Sequence, residues 1–143
     1  MTRLTMALAA LAAVSCSRGM TEPAADGSAA QVVSVGDTVQ LKYGESAAIR
    51  QTAVRVQFSR VVADSRCPID VVCVWAGDAH VRLTVTSASA SASRTYDLHT
   101  YSDPKFADHD QYRLSLVEVG PSRRSDTTIR LQDYYVKLEI TQK

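Results

Sequence analysis

The sequence predicts an all-β domain, either an antiparallel β-sandwich or a small open barrel of about 6–8 strands. Apolar and polar residues alternate with a period of two in several short runs, as in strands with one buried face. Clusters of Gly, Pro, Asp and Ser separate these runs. No convincing helical stripe occurs after Gln31.

The predicted strands follow one another closely along the chain. The first run spans residues 39–43 and ends at Gly44. The apolar positions of the later runs are Val54, Val56 and Phe58; Ala79, Val81, Leu83 and Val85; Tyr96 and Leu98; Tyr112, Leu114 and Leu116; and Tyr134, Val136, Leu138 and Ile140. The last run continues almost to Lys143, which predicts a strand paired inside a sheet. The Ser/Ala-rich segment 86–94 predicts a mobile hairpin tip between two strands.

The first fifteen residues predict a targeting segment. Arg3 precedes an acid-free apolar stretch that fits the core of a signal peptide and is too short to span a bilayer as a helix. The stretch ends in Leu11-Ala12-Ala13-Val14-Ser15-Cys16, which resembles the lipobox of bacterial lipoproteins. That resemblance implies cleavage before Cys16 and a diacylglyceryl group on its sulfur. A secretory signal cleaved after a small residue is the alternative.

Three segments are therefore expected. Residues 1–15 form a lipoprotein signal peptide, residues 16–31 a lipidated flexible tether of small and polar residues, and residues 32–143 a single β-sandwich domain. Acylated Cys16 would bind the lipid bilayer and place the protein in the cell envelope. Ser17 stands where an Asp would resemble an inner-membrane retention signal, which favours the outer membrane if the cell has one.

Composition and motifs weigh against several functions. The net charge of +1, with acids and bases interspersed, argues against a nucleic-acid partner and a polybasic membrane patch. The basic pair Arg123 and Arg124 predicts a solvated turn. The chain lacks a G-x-S-x-G nucleophile motif and a Gly-rich phosphate loop, so no enzymatic activity and no cofactor are expected.

The most unusual motif runs from Asp64-Ser65-Arg66-Cys67-Pro68 to Cys73-Val74-Trp75-Ala76-Gly77. It resembles the hallmark of a family of small, largely uncharacterised bacterial lipoproteins, and the similarity extends from about Gly44 to Ile140. The resemblance implies an exported β-domain with one disulfide, between Cys67 and Cys73, and lends no activity. Five intervening residues let the chain turn and bring the two Cα atoms to the ~5.5 Å of a bridge. A structural staple is favoured over a redox pair, which would use C-x-x-C spacing.

Residues around these cysteines form a candidate binding loop, consisting of Asp64, Arg66, Pro68, Asp70, Trp75 and Asp78. Trp75 shares strand parity with Cys73, which predicts that its indole packs against the bridge in the core. The alternative is an exposed tryptophan that acts as a binding hot spot. Gly77 predicts a backbone turn, and Arg66 is expected to pair with one of the three aspartates.

Two metal sites are compatible with the sequence. Asp64, Asp70 and Asp78 would supply oxygen ligands for calcium, although their spacing matches no known calcium loop and turn chemistry explains them without an ion. A transition-metal site would gather the remaining acidic and histidine residues Asp103, Asp108, His109 and Asp110, with His80 and His99. Both histidines on the strands also fit a solvated sheet face, so no metal is expected.

Three functions remain as hypotheses. The favoured one is a non-catalytic binding or structural module of the envelope that recognises a protein partner through the candidate loop. The second is an inhibitor of a secreted hydrolase, presenting Arg66-Cys67-Pro68 or the Ile69-Asp70 tip. The third is a metal-binding envelope protein that uses the His109 segment.

Overall fold

A computed structural model describes residues 30–87 and 90–143, which form two packed β-sheets. The predicted signal peptide, Cys16 and nearly all of the predicted tether lie outside these residues. The strands are β1 (Gln31–Val33), β2 (Thr38–Lys42), β3 (Ser46–Ile49), β4 (Arg55–Asp64), β5 (Ala79–Ser87), β6 (Ala90–His99), β7 (Phe106–His109), β8 (Tyr112–Gly120) and β9 (Tyr135–Gln142). No helix in the described part of the chain is long and apolar enough to cross a membrane.

The strand order confirms the predicted all-β sandwich class. One sheet has the order β1-β3-β4-β5-β6 and the other has the order β2-β9-β8-β7. All pairs are antiparallel except β1 with β3. The nine strands of the described residues exceed the predicted 6–8 because β1, β3 and β7 are only three or four residues long. Runs this short contain too few alternations to be recognised.

The core lies between the sheets and contains the predicted apolar positions. In β5 the side chains of Ala79, Val81, Leu83 and Val85 are all buried, and their neighbours along the strand are not. Burying each aliphatic side chain of this size contributes roughly 1.5–3 kcal/mol relative to leaving it exposed. Strand β9 lies between β2 and β8, which confirms that the last strand pairs on both sides.

The predicted hairpin joins β5 and β6. Its ladder extends further into the Ser/Ala segment than expected, since Ser87 pairs with Ala90. Small side chains are compatible with strand pairing even when they contribute nothing to a core. Residues 88–89 lie outside the described part of the chain.

One end of the sandwich carries the features that concern function. Residues 65–78, which we call the disulfide loop, connect β4 to β5 there. The segment 100–105, after β6, lies at the same end because of the strand register, and the segment 121–134, between β8 and β9, lies there because it is hydrogen-bonded to the disulfide loop. We call this end of the molecule the loop end.

Candidate functional site

A buried ion pair holds the base of the disulfide loop. The guanidinium of Arg66 donates hydrogen bonds from Nε and Nη2 to the two carboxylate oxygens of Asp64, at 2.8 and 2.7 Å. It also donates to the carbonyl oxygen of Val119 and, at 3.0 Å, to that of Pro121. The hydroxyl of Tyr134 donates to Asp64 at 3.0 Å. The expected pairing of Arg66 with an aspartate is confirmed, and it ties the loop to the other sheet.

Electrostatics keep this pair ionised. The side chains of Arg66 and Asp64 are 16% and 6% exposed. Burial by itself would raise the pKa of Asp64, but the hydrogen bonds and charge of Arg66, with the Tyr134 hydroxyl, outweigh burial and lower it. Burial likewise opposes the charge of Arg66, and Asp64 reverses the effect and raises the Arg66 pKa. Each charge therefore depends on its partner.

The disulfide that the family resemblance implies is present. Cys67 and Cys73 are bonded, with their Cα atoms 5.9 Å apart. The backbone N–H of Cys67 also donates to the carbonyl of Ala76 at 2.8 Å, which joins the two sides of the loop. Pro68 is half-buried, and its carbonyl accepts the N–H of Val71 at 3.4 Å. Closing so short a loop stabilises the fold by roughly 2 kcal/mol in the chain-entropy model, so the bridge mainly restricts this loop.

Asp70 is fixed by the segment that follows β8. Its carboxylate accepts hydrogen bonds from the backbone N–H of Ser125 at 2.9 Å and from the Ser125 hydroxyl at 2.8 Å. These bonds lower the pKa of Asp70. The exposed guanidinium of Arg124 lies 3.9 Å away. Asp70 is thus held within the loop end and is not offered freely to a ligand.

Arg123 departs from the predicted solvated turn. It is half-buried, and its Nη1 donates a 2.8 Å hydrogen bond to the carbonyl of Arg66. Its own carbonyl accepts the N–H of Ile69 at 2.9 Å. The basic pair is therefore divided: Arg123 supports the disulfide loop, whereas Arg124 remains exposed.

Asp78 closes the other side of the loop. Its carboxylate accepts hydrogen bonds from the Thr100 hydroxyl at 3.0 Å and the Tyr101 backbone N–H at 2.8 Å, and His99 Nδ1 lies 2.6 Å away. Burial would raise the pKa of Asp78, but the bonds from Tyr101, His99 and Thr100 outweigh it and lower the pKa to about 2. Asp78 is a structural anchor between the disulfide loop and segment 100–105.

The backbone of the loop returns to β5 through Gly77, as the sequence predicted. Gly77 has φ +71°, in the left-handed region that favours glycine. A Cβ at this position would overlap the carbonyl group of Ser65. The loop geometry therefore requires glycine here for two separate reasons.

The outermost part of the disulfide loop is apolar and exposed to solvent. Five exposed apolar side chains, which we call the apolar tip, are concentrated within seven consecutive residues: Ile69, Val71, Val72, Val74 and Trp75. Val72, Val74 and Trp75 are 103%, 93% and 81% exposed. Apolar residues scattered singly over a surface are ordinary, whereas several exposed apolar residues close together in one loop are not.

The prediction that Trp75 packs in the core is wrong. Residues 65–78 form no strand, so the parity shared by Cys73 and Trp75 does not place them on one sheet face. The loop instead turns the indole outward, as in the alternative of an exposed binding residue.

The candidate calcium ligands do not converge. Asp64, Asp70 and Asp78 have separate partners on different segments, as described above. Among residues 30–87 and 90–143, no group of three or more His, Cys, Asp or Glu side chains is placed to hold a metal ion. Turn and ion-pair chemistry accounts for all three carboxylates.

The second metal hypothesis concerns the segment around His109. His109 is buried on β7 with its Nδ1 2.9 Å from the Tyr96 hydroxyl, whereas Asp108 faces outward and binds Arg113 at 2.9 Å. Asp110 lies 3.5 Å from Nε2 of His109, but among the described residues no third His, Cys, Asp or Glu side chain joins them in a group placed to hold a metal ion.

The two strand histidines also differ from expectation. His80 and His99 stack on each other with ring centroids 4.4 Å apart, and both side chains are largely buried. They do face the polar side of the sheet, where His80 lies 3.5 Å from Asp97, but they are not fully solvated.

Residues after β8 were missed by sequence reasoning. Tyr134 was assigned only to the core, and Pro121 and Ser125 carried no signal. Together with Arg123, these residues stabilise the disulfide loop through hydrogen bonds. An open cavity of about 400 Å³ lies beside this contact, between Val61, Asp64, Ile129 and Tyr134. The only signal in this segment is the basic pair Arg123 and Arg124, and nothing in the sequence points to its partner.

No family model, curated protein or solved structure matches this chain. The resemblance to small bacterial lipoproteins therefore stays a prediction that rests on the motif. The fold and the site define an all-β domain with a fixed, outward-facing loop.

Proposed function

We propose that this chain is a lipid-anchored protein of the cell envelope that acts as a non-catalytic binding module. Its contact surface is the disulfide loop, residues 65–78. The observation that carries the proposal is the apolar tip, five exposed apolar side chains on a loop that the fold holds in place.

The construction of the loop favours binding. The disulfide, the Arg66–Asp64 pair and the Asp70–Ser125 contact restrict the loop before any partner arrives. A restricted loop loses little conformational entropy when it binds, so more of its contact energy appears as affinity. Tryptophan is among the residues that contribute most to binding at interfaces.

The proposed location in the cell envelope depends on Cys16. The lipobox resemblance implies several acyl chains on one residue, and each buried CH₂ contributes about 0.8 kcal/mol to membrane binding. Two or more chains make an anchor that does not exchange readily. Intact-mass measurement of the mature protein tests this step: an acylated N-terminal cysteine is expected, and an unmodified leader would contradict it.

The inhibitor hypothesis loses one of its two contacts. Arg66 is 16% exposed and donates all of its described hydrogen bonds inside the protein, so it is not presented to an enzyme cleft. Ile69 is exposed and remains available to that hypothesis. Absence of inhibition by the soluble domain at micromolar concentration would remove it.

In-cell photo-crosslinking tests the contact surface. A photoreactive amino acid is placed at Val72 in the tip and, as a matched control, at the exposed Val117 of β8. We expect an adduct with protein or lipid from position 72 and none from position 117. Equal labelling at both positions, or no adduct at 72, would contradict the proposed surface.

A further inference from the structure

We propose that the apolar tip inserts into the interface of the membrane that holds the lipid anchor, so that the bilayer itself is the partner of the disulfide loop. This inference rests on the proposed function and names the partner of the same site. Three observations support it: the direction of strand β1, the distance to be spanned, and the chemistry of the tip.

Strand β1 lies level with the start of β4 and runs away from the loop end. Gln31 pairs with Ala47, which pairs with Val56 of β4. Strand β4 runs from this level toward Asp64 and the disulfide loop. Because β1 is parallel to β3 and β3 is antiparallel to β4, β1 runs away from the loop end. Gln31 is therefore the residue of β1 that lies nearest to the loop end.

The length of the segment between Cys16 and β1 matches the distance from the start of β1 to the loop end. Eight residues of β4 separate Val56 from Asp64, a rise of roughly 25 Å along the strand. The segment from Cys16 to Gln31 spans at most about 50 Å when fully extended, and a flexible chain of this length has an r.m.s. end-to-end distance of about 20 Å. A linker whose r.m.s. length is close to the span gives the highest effective concentration of the tip at the membrane.

The chemistry of the tip suits the membrane interface. Residues 71–77 carry no charged side chain, and the flanking carboxylates of Asp70 and Asp78 are held by Ser125 and His99. Trp and Tyr side chains favour the headgroup level, and the exposed Tyr101 lies at the same end of the sheet as Trp75. Loop backbone is not tolerated in the hydrocarbon core, so the insertion is shallow.

The size of the tip also favours the bilayer over a protein. A stable protein interface usually takes about 20–30 residues on each side. Five apolar side chains are few for that purpose, but they suffice to orient a domain that an anchor already holds at the surface. Since residues 71–77 carry no charge, and Arg66 and Asp70 beside them are paired, binding should depend little on anionic lipid or on salt.

Trp75 is the only tryptophan of the chain and reports directly on insertion. The acylated full-length protein is reconstituted into phosphatidylcholine vesicles, with and without bromine on the acyl chains. We expect blue-shifted emission and at least twofold quenching by brominated lipid. The same quenching is expected with added phosphatidylglycerol and at high salt.

Matched variants separate insertion from folding. Val72→Asp combined with Val74→Asp places charge at two fully exposed positions, and we expect water-like emission with less than a tenth of the quenching. Val117→Asp, at an exposed site on β8, should retain the full quenching. Urea unfolding of all three proteins verifies that they are folded.

The outcomes distinguish this inference from the proposed function. Water-like emission without quenching in the anchored protein would overturn membrane insertion. If position 72 nevertheless crosslinks to a protein in cells, the binding-loop proposal stands with a protein as its partner. An unacylated Cys16 would overturn the lipid-anchored function and the insertion together.

Discussion

Replacing Trp75 with alanine tests whether the disulfide loop is a surface feature or part of the core. At 81% exposure, about a fifth of the indole is covered in the folded protein. A fully buried aromatic side chain covers up to about 250 Å², so roughly 50 Å² of Trp75 is removed from water. At about 25 cal/mol per Å², Trp75→Ala should lower the free energy of unfolding by about 1 kcal/mol.

Phe58→Ala supplies the contrasting case. Phe58 is fully buried between the sheets, and truncation of a buried aromatic costs about 3–5 kcal/mol. Urea unfolding followed by far-UV circular dichroism measures both variants, because the midpoint changes with stability at constant slope. We therefore expect a small midpoint shift for Trp75→Ala and a large one for Phe58→Ala. A loss of 3 kcal/mol or more at Trp75 would refute the outward orientation and return the indole to the core.

Three further predictions concern the supports of the loop. Gly77→Ala should lower the free energy of unfolding by more than Gly44→Ala does. Both positions have positive φ, but only at position 77 would the added Cβ overlap backbone atoms. Equal losses of stability in urea unfolding would contradict this. Arg66→Ala should cost about 2–4 kcal/mol by leaving a buried carboxylate unpaired, whereas Arg130→Ala, at an exposed pair, should leave the midpoint unchanged; similar shifts would contradict it. The lowered pKa of Asp78 stabilises the fold at pH values above the ordinary pKa of 3.8, and this contribution is lost as the pH falls toward about 2. In Asp78→Asn, the urea midpoint should therefore depend less steeply on pH between pH 4 and 2. If the midpoint of Asp78→Asn depends on pH as steeply as that of the unsubstituted protein in this interval, Asp78 does not stabilise the fold in this way.

Much of the fold follows from local sequence pattern. The alternation at Val81, Leu83 and Val85 identifies both the strand and its buried face, because successive side chains of a strand point to opposite sides. The same reasoning places Val136 and Leu138 in the core. Such patterns need only neighbouring residues, so they are readable before any tertiary contact is known.

The supports of the candidate site are of another kind. Arg66 binds the carbonyl of Pro121, 55 positions later, and the carboxylate of Asp64 accepts a bond from Tyr134, 70 positions later. The charged side chains of the motif indicate that Arg66 pairs with an aspartate, but they do not identify which of the three aspartates is its partner. The packing of the two sheets determines that Arg66 pairs with Asp64, and it places the segment after β8 against the disulfide loop.

The sequence by itself determined the class of fold, the loop between Cys67 and Cys73 and the backbone turn at Gly77. Only the tertiary structure decided that Trp75 faces solvent and that β1 runs away from the loop end. Strand periodicity is a property of adjacent residues, whereas the direction of a side chain in a loop depends on contacts with distant segments that leave it no place inside.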